Sequence, residues 1–391
     1  MDSETQPQTT ETPLAGEHSP ALPSQPLALT PDAQEFRGLK WVFIGSQGLR
    51  SGWSILIFLI LSTIFIGSLG FAVSWFVKNV LHHAKTGAFT ATGNMIGEAI
   101  TVLGFLGAAK IVALIERRRV LDYNLIGPRR FIHFLSGLLV GFAALSTLIG
   151  FLAWGGWLRF GPVALSGAQV FTYAALWGLA FLGTGLTEEG SFRCYLQFTL
   201  TRGINFWWAL GIIGAICLEL IIFGKGNGIW GVYVIAALGL VPCLLLHLKK
   251  VSGSGFWQAA WVTSTLFGFV HTGNGGENWI GIFQAAAIGF VFCVSVRLTG
   301  SAWWAIGCHA AWDWSETYFY GAADSGYVAT GHLLTVTPAG STFWSGGTDG
   351  PEGSLLGLPV ILLILLVLIV FYGRKKLTPA PVPASQLEQA A

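Results

Sequence analysis

Long apolar runs, each bounded by short clusters of polar, basic or glycine residues, dominate the pattern along this chain. A helix that crosses a hydrocarbon core needs about 20 mostly apolar residues. By that measure the chain predicts membrane helices at roughly 53–77, 90–115, 132–156, 172–198, 206–223, 229–248, 256–274, 279–297, 301–320 and 355–372. The expected fold is therefore an all-α polytopic membrane protein, a helical bundle of about ten transmembrane helices. Between the last two runs lies the longest connection, 314–354, rich in Gly, Ser and aromatic residues; loops of this length are either functional or disordered. No internal repeat is visible, which argues against a transporter built from related halves.

Composition agrees with the pattern. Of 391 residues, 53% are apolar and 10% charged, and the mean hydropathy is +0.63. Soluble domains carry about 25% charged residues. The net charge of +2 is near neutral and gives no sign of a nucleic-acid partner. Five cysteines, Cys194, Cys217, Cys243, Cys293 and Cys308, lie in or beside apolar runs without paired spacing, and read as buried free thiols. Residues 1–36 hold six prolines, six acids and no Lys or Arg. They lack the basic and apolar regions of a secretory signal and read as a disordered cytoplasmic tail.

Charge placement then suggests orientation. With ten spans, Arg37, Lys40, Arg50, the cluster Arg117–Arg119 with Arg129 and Arg130, Arg202, Lys249, Lys250, Arg297 and Arg374–Lys376 fall on one side, and fewer, Lys78, Lys85, Arg159 and Lys225, on the other. The positive-inside rule makes that side, and both termini, cytoplasmic. The stretch from Arg117 to Phe131 mixes basic and apolar residues around a Gly-Pro break and suits a segment at the cytoplasmic interface. Glu98, Lys110 and Glu219, inside other apolar runs, read as bundle-facing contacts or snorkelling ends.

One run breaks the pattern more sharply. GLTEEGSFR at 185–193 places Glu188, Glu189 and Arg193 within six residues of a membrane helix. Intramembrane charge is costly and is read by default as functional, with a partner to be found. Glu189 and Arg193 are four apart and share a helix face, so they can pair. Glu188 is turned about 100° away and needs another partner or a proton. A buried glutamate of that kind suits a general base acting on water. His271 lies in the far half of the seventh run, and His309 and Asp313 lie one turn apart in the ninth, so the acid can orient the imidazole. A Glu/His/His set has two uses, as zinc ligands completed by water or as a metal-free base with oxyanion-binding imidazoles.

EEGSFR (188–193), FGFVH (267–271) and HAAWD (309–313) resemble, in order, the signatures EExxxR, FxxxH and HxxxN/D of the CPBP or ABI family, which includes CAAX prenyl protease 2 and lysostaphin-resistance-protein-A-like intramembrane proteases. The resemblance covers about residues 170–320. It implies peptide hydrolysis within the membrane, with Glu188 activating water, Glu189 and Arg193 supporting it, and His271 and His309 binding the oxyanion or a metal. If a metal is used, zinc would be held by Glu188, His271 and His309. Asp313 stands where eukaryotic CAAX-processing members often have Asn, and suits metal binding or orientation of His309.

The resulting division is a Pro-rich tail (1–50), N-terminal membrane helices with a basic interfacial loop (51–165), a CPBP-like protease core (166–320), an extracytoplasmic Gly-rich loop (321–354), and a last helix with a cytoplasmic tail (355–391). The expected setting is a bacterial inner membrane, with the bilayer and a membrane-associated peptide as partners. Such a peptide could be prenylated or bacteriocin-like. The alternatives are a non-catalytic scaffold or bacteriocin-immunity protein of the same fold, and, from the charges alone, a transporter or channel.

Overall fold

The structure is a computed structural model that describes residues 39–45, 48–81, 89–223 and 228–373. Residues 1–38 and 374–391, with Arg37 and Arg374–Lys376, lie outside the described residues, as do Lys85 and Lys225. The end of the expected disordered tail is instead ordered, with a helix at Leu39–Phe43 and Ile44–Gly45 paired antiparallel with Gly48–Leu49. Each of the ten apolar runs is helical. We number them α1 Ser51–Asn79, α2 Ala91–Ile115, α3 Arg130–Trp154, α4 Ala168–Thr201, α5 Phe206–Phe223, α6 Gly231–Leu248, α7 Ser254–His271, α8 Trp279–Thr299, α9 Trp303–Asp313 and α10 Gly357–Tyr372.

Among the described residues, seven helices are long and apolar enough to cross a membrane. The three that fall short are α7, α9 and α10. Helix α7 carries Gln258, Thr263, Ser264 and Thr265 on buried positions, because it faces other helices rather than lipid. Helix α9 has 11 residues and α10 has 16, although α9 continues without a break into a π-helical stretch, Trp314–Tyr320. The long connection therefore starts at Gly321. Large apolar side chains such as Leu139, Phe171 and Phe371 point outward, as lipid-facing surfaces require. The chain is an integral membrane protein.

Helix α8 is the innermost of the seven: 56% of its most apolar window is buried, against 11% for α1. The most extensive packing joins α3 and α9. Gly137 and Gly141 on α3 lie against the carbonyls of Trp304 and Cys308, and Gly307 on α9 lies against that of Phe134; a Cβ at any of the three would collide. Small residues that let backbones touch are a main source of helix association in lipid, where water supplies no driving force. Around this seam Leu145, Leu148, Phe292, Trp304 and Ile364 form the central apolar core.

Two segments that look like loops in the sequence are built into the bundle. In the basic segment, Tyr123 is buried against Tyr195, Asn124 donates to the Arg193 carbonyl at 2.7 Å, and Leu125 accepts from the Trp303 indole at 2.9 Å. It ties α4 to α9 instead of only lying at the interface. The 321–356 connection also has structure of its own. Val336–Pro338 pairs antiparallel with Leu158–Phe160, and short helical turns cover Thr342–Ser345 and Pro351–Gly353. All five cysteines are buried and free.

Candidate active site

The charged motif sits where α4 changes its winding. Ala168–Glu189 is α-helical, Gly190–Leu196 is π-helical, and Gln197–Thr201 returns to α. Wide turns of this kind are rare and often mark functional sites, because the extra residue re-aims side chains. A second one follows Asp313 directly. A third, at Ala236–Leu240, precedes Pro242, whose missing N–H accounts for it.

Glu189 and Arg193 are both fully buried and form an ion pair, Nε to Oε2 at 3.2 Å. Three rings surround the guanidinium: Phe267 at 4.2 Å from its carbon, Phe292 at 5.6 Å and Phe192 at 5.7 Å. Gly289 on α8 makes the space, since a Cβ there would meet Nη2. Cation–π contacts gain strength when desolvated, so this cage holds the charge without water.

The other oxygen of Glu189, Oε1, lies 3.0 Å from His309 Nδ1. A carboxylate can only accept, so Nδ1 carries the proton and donates it. That leaves Nε2 facing Glu188 Oε2 at 3.8 Å and Asp313 Oδ2 at 3.5 Å. His309 is thus oriented from one side and opens to two carboxylates on the other. Glu188 is partly exposed, and its Oε2 has no hydrogen-bond partner among the described residues.

His271 reaches the site from α7. Its Nδ1 is 2.7 Å from the Phe267 carbonyl, which fixes the proton on Nδ1 and presents Nε2 as an acceptor. The ring lies against Phe267, which also approaches His309. His271, His309 and Asp313 line one cavity of about 60 Å³ together with Phe267, Phe292, Ile288 and Ile361. That volume holds several waters. Both imidazoles leave Nε2 open, as ligation to zinc also demands. Among the described residues, however, no three His, Cys, Asp or Glu side chains converge as a metal-holding group.

The structure also gathers acids that sequence reasoning did not place in the site. Glu98, read as an ordinary helix contact, packs on Gly183 of α4 within electrostatic reach of Glu188 and His309. Its signal was present, a lone acid inside an apolar run, but nothing in the sequence told which helix it faces. Glu277 and Glu352 line the same cavity as the histidines. Behind them, burial pushes Asp324 up to about 6, with Thr317 and His309 opposing and Glu188 and Glu277 reinforcing. Burial likewise raises Glu352 well above the usual carboxylate range, and nearby Asp324, Asp313 and Asp349 add to it.

Residues 243–315 match the family model described as Type II CAAX prenyl endopeptidase Rce1-like. No curated protein and no solved structure matched the chain. The matched segment runs from the middle of α6 to the end of α9 and contains His271, His309 and Asp313. Glu188, Glu189 and Arg193 lie outside it and are joined to it in space through His309. Taken with that geometry, the match supports the CPBP/CAAX protease family for this chain.

Proposed function

We propose that the chain is an intramembrane endopeptidase in which Glu188 activates water against a peptide bond of a membrane-associated substrate. The observation that carries this reading is the inequality of the two adjacent glutamates. Glu189 is fully buried and held at 3.2 Å by Arg193 and at 3.0 Å by His309, whereas Glu188 is partly exposed and stands 3.8 Å from His309 Nε2. The Rce1-like match supports protease activity as a class.

In this mechanism Glu188 takes a proton from water while the oxygen attacks the scissile carbonyl. A proton on His309 Nε2, the atom nearest Glu188 and Asp313, is the donor available to the developing oxyanion. Glu189, which accepts from Nδ1–H, steadies the doubly protonated imidazolium that this donation requires, with Glu188 and Asp313 facing Nε2. His271, with Nε2 as acceptor, can relay a proton towards the leaving amine. A bacterial inner membrane, with both termini in the cytoplasm, is the setting we assign.

The test is hydrolysis of membrane-associated peptides, prenylated and bacteriocin-like ones included, by detergent-purified protein. Glu188→Gln should lower turnover about 10²–10⁴-fold, the usual share of a general base, with the melting temperature unchanged. Retained turnover would sink the reading. A second reading, a non-catalytic scaffold or immunity protein, is favoured by the sealing of Arg193, which stabilises the bundle whether or not chemistry occurs. It predicts that Glu188→Gln leaves biological function intact.

A further inference from the structure

The cavity beside His271 and His309 has an unbalanced wall. Three elements bring a carboxyl group to it: Glu277 from the turn before α8, Asp313 from α9 and Glu352 from the Pro351–Gly353 turn. Among the described residues, no Lys or Arg lines it. Arg193 is fully buried in its aromatic cage and already paired with Glu189, and His309, on the wall itself, is faced by Glu188, Glu189 and Asp313. Glu316, behind the wall, is fully buried, and neither of its carboxylate oxygens has a hydrogen bond among the described residues.

Both wall glutamates are held in place by one oxygen and keep the other. Glu352 Oε1 accepts from the Trp312 indole at 2.8 Å, and its backbone carbonyl accepts from Gln284 at 2.7 Å. Glu277 Oε1 accepts from Asn274 at 2.7 Å, and its Oε2 is buried without a partner. These are anchored acids with unused acceptors at a cavity. The remaining wall is apolar, formed by Phe267, Ala285, Ile288, Phe292 and Ile361.

From this arrangement, and resting on the hydrolase reading above, we infer that the cleft selects a peptide with a cationic side chain beside the scissile bond over one that places a carboxylate at that same position. Carboxyl groups crowded in a low-dielectric wall cannot all ionise together. An incoming ammonium or guanidinium allows them to ionise and satisfies their open acceptors. An incoming carboxylate meets repulsion, while His309, the basic group beside it, is already faced by Glu188, Glu189 and Asp313, and an unpaired buried charge is costly. Glu352 and Ile361 lie outside the Rce1-like segment, so this side of the cleft is supplied by the chain beyond the matched region.

The experiment measures binding to the full-length Glu188→Gln protein in detergent, so that turnover does not intervene. Three probe peptides share one apolar sequence: an amidated form with Lys at the test position, an amidated form with Gln there, and the Gln form ending in a free carboxylate at that position. The Lys peptide should bind at least about tenfold tighter than the Gln peptide, a difference of about 1.4 kcal/mol, and the carboxylate peptide should bind weakest. Adding Glu352→Gln should erase most of the Lys preference; Glu277→Gln, on another element, asks the same question if the first variant does not fold. Equal binding of Lys and Gln peptides, tighter binding of the carboxylate peptide, or no binding of the Lys peptide overturns the inference. Peptide hydrolysis by the wild type without Lys preference overturns this inference alone. Lys-selective binding with no hydrolysis by the wild type overturns the enzymatic reading instead.

Discussion

Two buried glutamate–arginine networks lie in this bundle, and they differ in their charge balance. At one end of α2, Glu116 is met by Arg202 at 2.9 Å, Arg118 at 3.3 Å and the Ser54 hydroxyl at 2.6 Å, and Ser54 is bonded in turn to Tyr195. Two cations serve one acid, and Ser54 ties it to α1 and Arg202 to the end of α4. In the second network Glu188, Glu189 and Asp313 surround Arg193 and His309, while Glu98, Glu277 and Glu352 stand nearby. Acids exceed cations there, acceptors remain open, and a cavity adjoins them. The same residue types act as a fastener where charge is balanced and form a site where it is not.

Breaking each network should separate the two roles. The largest effect is expected from Arg193→Ala, which strands fully buried Glu189; removing one partner of such a pair costs about 3–5 kcal/mol. Thermal unfolding in detergent should show it, and Arg193→Lys should recover only part, because an ammonium lacks the planar face the three rings enclose. Gly141→Leu should cost about 1–3 kcal/mol or more, the scale of overpacking, by forcing α3 off the Cys308 carbonyl; a retained melting temperature would contradict the seam described here. Glu116→Gln should destabilise by about 1–3 kcal/mol, the penalty of leaving partners unsatisfied, yet leave hydrolysis per folded molecule unchanged. A specific loss of turnover in that variant would erase the distinction between the networks.

The smallest effect concerns the connection that carries Glu352. Asp349 accepts from the Asn278 N–H at 3.0 Å. Burial pushes it up to about 7 against that bond, with Glu277 and Asp324 adding to the rise. An acid raised on folding lends stability that is complete below its unfolded value, near 3.8, and lost as pH climbs through about 7. Amide exchange in 321–356 should therefore be slowest below about pH 4 and speed up through about pH 7, and Asp349→Asn should flatten that dependence.

The helical bundle was legible in the sequence because lipid imposes a one-dimensional rule: backbone groups must be satisfied within a segment, so each crossing helix shows as an apolar run. Three of those runs proved short or polar: α7 and α9 pack inside the protein and are exempt from the lipid-facing requirement, whereas α10 keeps an outward apolar face, with Leu362 and Phe371, and falls short by its length of 16 residues. The pairing of Glu189 with Arg193 was legible from a spacing of four, and that of His309 with Asp313 for the same reason, because both are local to one helix. The π-helical winding at Gly190–Leu196 was not legible, as it depends on what α4 meets.

What the sequence determined by itself was therefore the membrane setting, the helices and the residues with chemistry to offer. Tertiary structure decided which of them meet. It set His309 between Glu189 and Glu188, across 120 residues of chain, caged Arg193 in rings from α4, α7 and α8, and brought Glu98, Glu277 and Glu352 to the same region. The physical reason is that helix periodicity specifies which face a side chain occupies, whereas close packing between helices, here at Gly137, Gly141, Gly289 and Gly307, selects the neighbour that face finds.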